Sequence, residues 1–177
     1  MEEAQPVVQG VVDSVFPIDE EIRRFVATLD SVPTTLRHGA SSRDDLVERF
    51  IRAVETRDTT ELPRLVLQRD EFITFYYPHT RYAERPYELA PALLWFQMEN
   101  PSSRGLNRLL ERMGGRGLGY EGVNCPEEPR VEERNRIWEG CIVSLRGEDG
   151  TVAPHQLFGA IIERDGTWKF LSYTNML

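Results

Sequence analysis

Apolar residues recur at helical spacing in the first third of the chain and run in alternating or continuous stretches through the last third. Behind Pro17 and Asp19, the residues Ile22, Phe25, Val26 and Leu29 repeat at i, i+3, i+4 and i+7, which predicts a short amphipathic helix. That stripe stands in an otherwise polar arm, so it must dock on the rest of the protein. Residues 32–40 read as a linker. Leu46, Val47, Phe50, Ile51 and Val54 form one face of the next helix, with Ser41 or Ser42 as its cap. Asp44 and Asp45 fall in its first turn, where the helix dipole favours negative charge. Thr59 or Thr60 opens a further helix, with Pro63 in its first turn and Leu62, Leu65 and Val66 on its buried side.

Residues 72–77 are aromatic and β-branched and stop at Pro78, which predicts a strand. An apolar helix starts at Pro91, carries Leu93, Leu94, Trp95, Phe96 and Met98, and breaks at Asn100-Pro101. Ser102 or Ser103 then caps another, with Leu106, Leu109, Leu110 and Met113 on one side and Gly114-Gly115 as its stop. The remainder predicts antiparallel sheet. Strands are expected at 118–123, 136–145, 156–163 and 168–175, with a proline- and glutamate-rich loop at 126–133. Gly147 to Gly150 and Asp165-Gly166 supply the hairpin turns.

A chain of 177 residues suits one domain with a substantial core. No stretch reaches the ~20 apolar residues of a spanning helix, and a net charge of −8 disfavours nucleic acid and anionic lipid as partners. Residues 1–8 look like a polar leader without the basic-then-apolar pattern of a signal peptide. The two cysteines, Cys125 and Cys141, each sit in or beside an expected strand. Two readings stand: a disulfide in an exported protein, periplasmic or secreted, or two free thiols in a cytoplasmic one. With no CxxC and no histidine cluster, neither a metal site nor a cofactor is expected.

The segment 45–54 (DLVERFIRAV), the Arg57-Asp58 break before Leu62, and the closing 164–170 (RDGTWKF) resemble the first helix, the inter-helix break and the final hairpin of the NTF2-like superfamily, which includes the SnoaL-like and ketosteroid-isomerase-like proteins. That resemblance implies an α+β fold over residues 41–177, in which a curved antiparallel sheet packs on N-terminal helices to make a cone-shaped cavity. Residues 1–40 would form an N-terminal arm with its docking helix. The chain is also similar to a group of bacterial exported proteins and lipoproteins, through Ser42-Arg43-Asp44, Tyr76-Tyr77-Pro78 and residues 170–175. Export is what this likeness implies; it brings no activity.

The isomerases of the superfamily use a tyrosine on the first helix and a carboxylate before a proline. Those positions fall here on Phe50 and Tyr77, so that apparatus is missing. Tyr77, His79, Trp95 and His155 are the candidate pocket-lining residues, within an aromatic concentration that also contains Tyr76, Tyr82, Tyr87 and Phe96. Those aromatic side chains suit an apolar cavity, or equally a core. Arg104, Arg108, Arg112 and Arg116 recur every fourth residue on the face opposite the leucines and are expected to be solvated. The function these features imply is an exported, non-catalytic domain that binds a small apolar ligand or pairs through its sheet, including with a second copy. The alternative is an isomerase, dehydratase or cyclase using Tyr77 with His79 or His155.

Overall fold

Pro17 precedes helix α1 (Ile18–Ala27), whose Phe25 is buried while Ile18, Ile22 and Val26, with Leu29 just beyond the helix, are partly covered. The computed structural model describes residues 16–177, so the polar leader read at residues 1–8 lies outside the described residues. On the open face of α1, the Glu20 carboxylate accepts from Arg23 (2.8 and 2.7 Å) and Arg24 (2.6 Å). These bonds hold its pKa down at about 2, against an ordinary value of 4.5. An acid with a depressed folded pKa stabilises the fold above its unfolded pKa, and that contribution is lost as pH falls through the folded value. We therefore expect the Glu20 carboxyl to titrate near pH 2 by NMR, and α1 amides to lose protection there. Titration near 4.5 would mean the three bonds are absent in solution.

Helix α2 (Arg43–Thr56) starts where expected, with the Ser42 hydroxyl accepting from the Asp45 amide at 3.1 Å. Leu46, Val47, Phe50, Ile51, Ala53 and Val54 are all buried on it. Helix α3 (Glu61–Leu65) follows; its cap is Asp58, whose carboxylate accepts from the amides of Thr60 and Glu61 at 2.9 Å each. The stretch read as a linker is pinned down. Leu36 and Ala40 are buried, Ala40 exchanges backbone hydrogen bonds with Trp168, and Arg49 donates to the carbonyls of His38 and Gly39.

Residues 72–77, expected as a strand, are helical. A capping box at Gln68 and Glu71 launches a short α4 (Arg69–Glu71), and the chain widens into a π-helical turn at Phe72–Tyr76 and a 3-10 turn at Tyr77–His79. Phe72, Ile73, Phe75, Tyr76 and Tyr77 are all buried, so there is no alternation of inside and outside. The continuous apolar run reflects burial from every side, which periodicity cannot tell from a buried strand. A second 3-10 turn occupies Arg81–Ala83.

Helix α5 (Pro91–Met113) is continuous through Pro101, where a break between two helices was expected. Proline removes one backbone donor, and packing on both sides of it, through Leu94 and Leu109, holds the helix together. Ser102 is accordingly no cap. It lies buried and accepts from the Tyr173 amide at 2.9 Å.

The strands form two antiparallel sheets that do not close into a barrel: β1 (Tyr120–Asn124), β4 (Ile142–Arg146) and β5 (Val152–His155) in the order β1-β4-β5, and β2 (Arg130–Glu132), β3 (Asn135–Trp138), β6 (Ile161–Arg164) and β7 (Thr167–Phe170) in the order β2-β3-β6-β7. The long strand expected at 136–145 is two shorter ones, β3 and β4, in different sheets, and the one expected at 156–163 keeps only β6, because β5 has already ended at His155. β3 turns into β4 at Gly140, whose φ of 73° favours glycine, and β5 passes to β6 through Leu157 and Phe158, both buried. Because β3 pairs with β6 and β4 with β5, the whole is one long hairpin bent at a corner. The expected loop at 126–133 holds β2, and the last strand ends at Phe170 rather than 175. A disulfide joins Cys125 to Cys141, tying the end of β1 to the bend.

Both faces of the four-stranded sheet are covered over much of β3, β6 and β7, while Val131 on β2 and its partner Arg136 stay exposed. Trp138, Ile161 and Phe170 face α2, within a cluster that contains Phe50, Phe158 and Tyr173. Ile137, Ile162 and Lys169 face the π-helical turn and α1. Phe50 packs on Phe158, Phe170 and Tyr173 with ring centroids 5.1–5.6 Å apart, so side chains fill the space between α2 and the sheets.

Candidate functional site

Beyond β7 the chain crosses α5 and closes the core. Gly105 permits this approach: a Cβ there would lie 2.0 Å from the Tyr173 carbonyl oxygen. Asn175 donates to the carbonyls of Gly105 (2.8 Å) and Tyr173 (3.2 Å) and accepts from Arg108 (3.2 Å). Arg108, expected to be solvated, thus clamps this segment. Gly105→Ala should destabilise the protein by about 1–3 kcal/mol through overpacking, outweighing the ~1 kcal/mol that alanine offers a helix. Urea denaturation measures this, and a variant more stable than the parent would show that the crossing is looser than described.

Where the crossing segment meets α5 and the end of α3, a groove of about 270 Å³ opens. Pro63, Val66 and Leu67 form one wall, Trp95, Met98 and Leu106 of α5 the other, and Leu171 with Tyr173 the floor. Its polar groups are mostly committed to the protein. Tyr173 donates its hydroxyl to the Leu62 carbonyl at 2.6 Å, and burial raises its pKa well above the usual tyrosine value. Ser102 accepts from the Tyr173 amide, and the Gln68 amide donates to the carbonyls of Pro63 and Val66. Ser103 donates to one oxygen of Glu99 at 2.7 Å. Glu99 is the one charged residue lining the groove.

Of the four residues singled out in the sequence, only Trp95 is here. Tyr77 is fully buried beneath the 3-10 turn, its hydroxyl donating to the Leu89 carbonyl at 2.7 Å, and burial lifts its pKa to about 12. His79 ends that turn, half-buried. His155 ends β5 in a separate depression of about 560 Å³ lined by Arg116, Arg146, Glu148 and Asp149 among others. Tyr76 flanks a third, of about 440 Å³, with Arg130, Glu132 and Glu139. These two are larger but charged and shaped by exposed side chains; the α5 groove is the one with predominantly apolar walls. Phe96, one residue beyond Trp95, points outward and is exposed.

The sequence did not bring out the crossing. Ser102, Gly105, Tyr173 and Asn175 are far apart along the chain; their one local signal is the pair of small residues at i and i+3 amid large ones on α5. Among the described residues, no three His, Cys, Asp or Glu side chains come together to hold a metal ion, and no helix is long and apolar enough to cross a membrane. No protein-family model, curated protein or solved structure matches the chain. What fold and site define is an α+β protein with a small apolar groove beside its longest helix.

Proposed function

We propose that this protein is a non-catalytic binding domain, built on an NTF2-like plan, that holds a small apolar molecule in the groove between α3, α5 and Tyr173. The observation that carries the reading is the lining itself: aromatic and aliphatic walls, with all but one carboxylate oxygen of Glu99 among the groups described above bonded within the protein. Binding pockets are typically apolar with few free polar groups, and this one falls just below their usual ~300–1,000 Å³ range. Acid–base catalysis would need a titratable group free to exchange a proton with the ligand. Tyr77 is engaged and shielded, His79 and His155 stand at separate places, and Glu99 lines the groove with no second acid or base beside it, so the isomerase-like alternative has no assembled apparatus behind it.

Support for the NTF2-like plan comes from two helices, α2 and α3, packed beneath a long antiparallel hairpin that bends between sheets. The binding place differs from a cone interior, which aromatic side chains occupy. The disulfide supports an exported protein, since such bonds persist in oxidising compartments.

Titration with 1-octanol, followed by Trp95 fluorescence, tests the reading. A saturable change is expected in the parent protein. It should be lost in Ser103→Phe, which places a ring on the groove's rim. A response that never saturates, or one that survives Ser103→Phe, would remove the groove as the binding place.

A further inference from the structure

The groove's electrostatics go further than its shape, and they rest on the reading that it is a binding site. Its walls are apolar, and the single formal charge among the lining residues is the carboxylate of Glu99. Glu99 is exposed to solvent; Ser103 donates to one oxygen of its carboxylate at 2.7 Å, and the other has no protein partner among the described residues. No arginine or lysine lines the groove. Three arginines adjoin lining residues in sequence: Arg69 lies over the Phe25 ring, 4.5 Å from the centroid, and Arg64 and Arg104 neither line the groove nor pair with Glu99.

We infer that the natural occupant is a small organic cation, an apolar body ending in an ammonium group that pairs with Glu99. At ~30 Å³ per water-sized atom, a groove of about 270 Å³ takes about nine heavy atoms. A carboxylate-bearing molecule of the same size, such as a short fatty acid, would bring a second negative charge against Glu99 and is disfavoured. The net charge of −8 acts in the same direction, drawing cations toward the surface and repelling anions.

Octylamine (protonated at neutral pH), 1-octanol and octanoate share one chain length and differ in charge. Calorimetric titration at low salt is expected to rank them ammonium, alcohol, carboxylate. Each step should be between about 1.5- and fivefold, the range for a solvent-exposed ion pair. Raising salt to ~1 M, where screening is nearly complete, should collapse the ranking. Glu99→Gln should do the same at low salt, bringing the three affinities within twofold of one another. Octanoate binding as tightly as octylamine, or a ranking that persists in Glu99→Gln, would overturn the inference while leaving the groove a binding site. Failure of 1-octanol itself to saturate would instead remove the underlying reading.

Discussion

Replacing Lys169 with methionine is expected to cost about 3–5 kcal/mol of stability, the usual loss when one partner of a buried ion pair is removed. Lys169 and Glu71 are both fully buried and meet at 2.7 Å. The Glu71 carboxylate also accepts from the amides of Arg37 (2.6 Å) and Gln68 (2.8 Å), so it joins the segment before α2, the start of α4 and strand β7. Methionine would leave that carboxylate buried with its two backbone donors but without its buried cation, the half-exposed Arg37 guanidinium standing off at 4.0 Å. Glu71→Gln makes the converse variant, retaining a carbonyl oxygen and stranding the ammonium. Burial already pulls the Lys169 pKa down, and the Glu71 charge opposes the pull. In Glu71→Gln most of the opposition is gone, only the weaker Asp70 charge remaining, so the folded pKa falls further below the unfolded value of ~10.4. A base with a depressed folded pKa carries its full penalty below that pKa and sheds it as pH rises toward the unfolded one. The stability deficit of Glu71→Gln should therefore shrink at alkaline pH. Urea midpoints across pH would show it; a deficit that stays constant would mean the ammonium is solvated.

The second large effect is expected at the disulfide. Cys125 and Cys141 are separated by 16 residues, and a bridge closing a loop of that size contributes roughly 3 kcal/mol on the chain-entropy account. Its position adds a local consequence. The pairing of β1 with β4 reaches Asn124 opposite Ile142, and the bridge lies immediately beyond, where the hairpin turns its corner. Cys125→Ala with Cys141→Ala should lower the urea midpoint and raise hydrogen exchange in residues 120–145 before α2 responds. An unchanged midpoint, or exchange that rises evenly everywhere, would show that the bridge does not hold the corner.

The helices most legible in the sequence were those with one solvated face. α2 declared itself through Ser42, two acids in the first turn and a clean apolar stripe. The hairpin turns were legible because Gly150 and Gly166 adopt backbone conformations that few other residues share, with φ of 81° at each. Legibility failed wherever an element is covered on all sides. The 72–77 run is aromatic or aliphatic at every position but Thr74 because it is enclosed, and that erases the difference between periods of 2 and 3.6. Lys169, a charged residue between Trp168 and Phe170, gives no local sign of burial. It is buried because a second layer, α4 and the π-helical turn, covers that face with a matching acid. The corner in the long hairpin was hidden for a related reason, since Leu157 and Phe158 are adjacent and both buried. As for the groove, Trp95 stood out as an aromatic residue on an apolar helix. Tyr173 and Ser102 did not, because a partner 71 residues away leaves no mark in a local window.

The segment that crosses α5 also sets when this protein can finish folding. Tyr173 reaches back 111 residues to the Leu62 carbonyl and stacks on Phe50, so the central cluster stays open until that tyrosine arrives. A nascent chain emerging as far as residue 170 would carry every strand and still lack the piece that locks them. Helices and hairpin can assemble locally during synthesis, but the final cooperative step waits for Tyr173 to leave the ribosome.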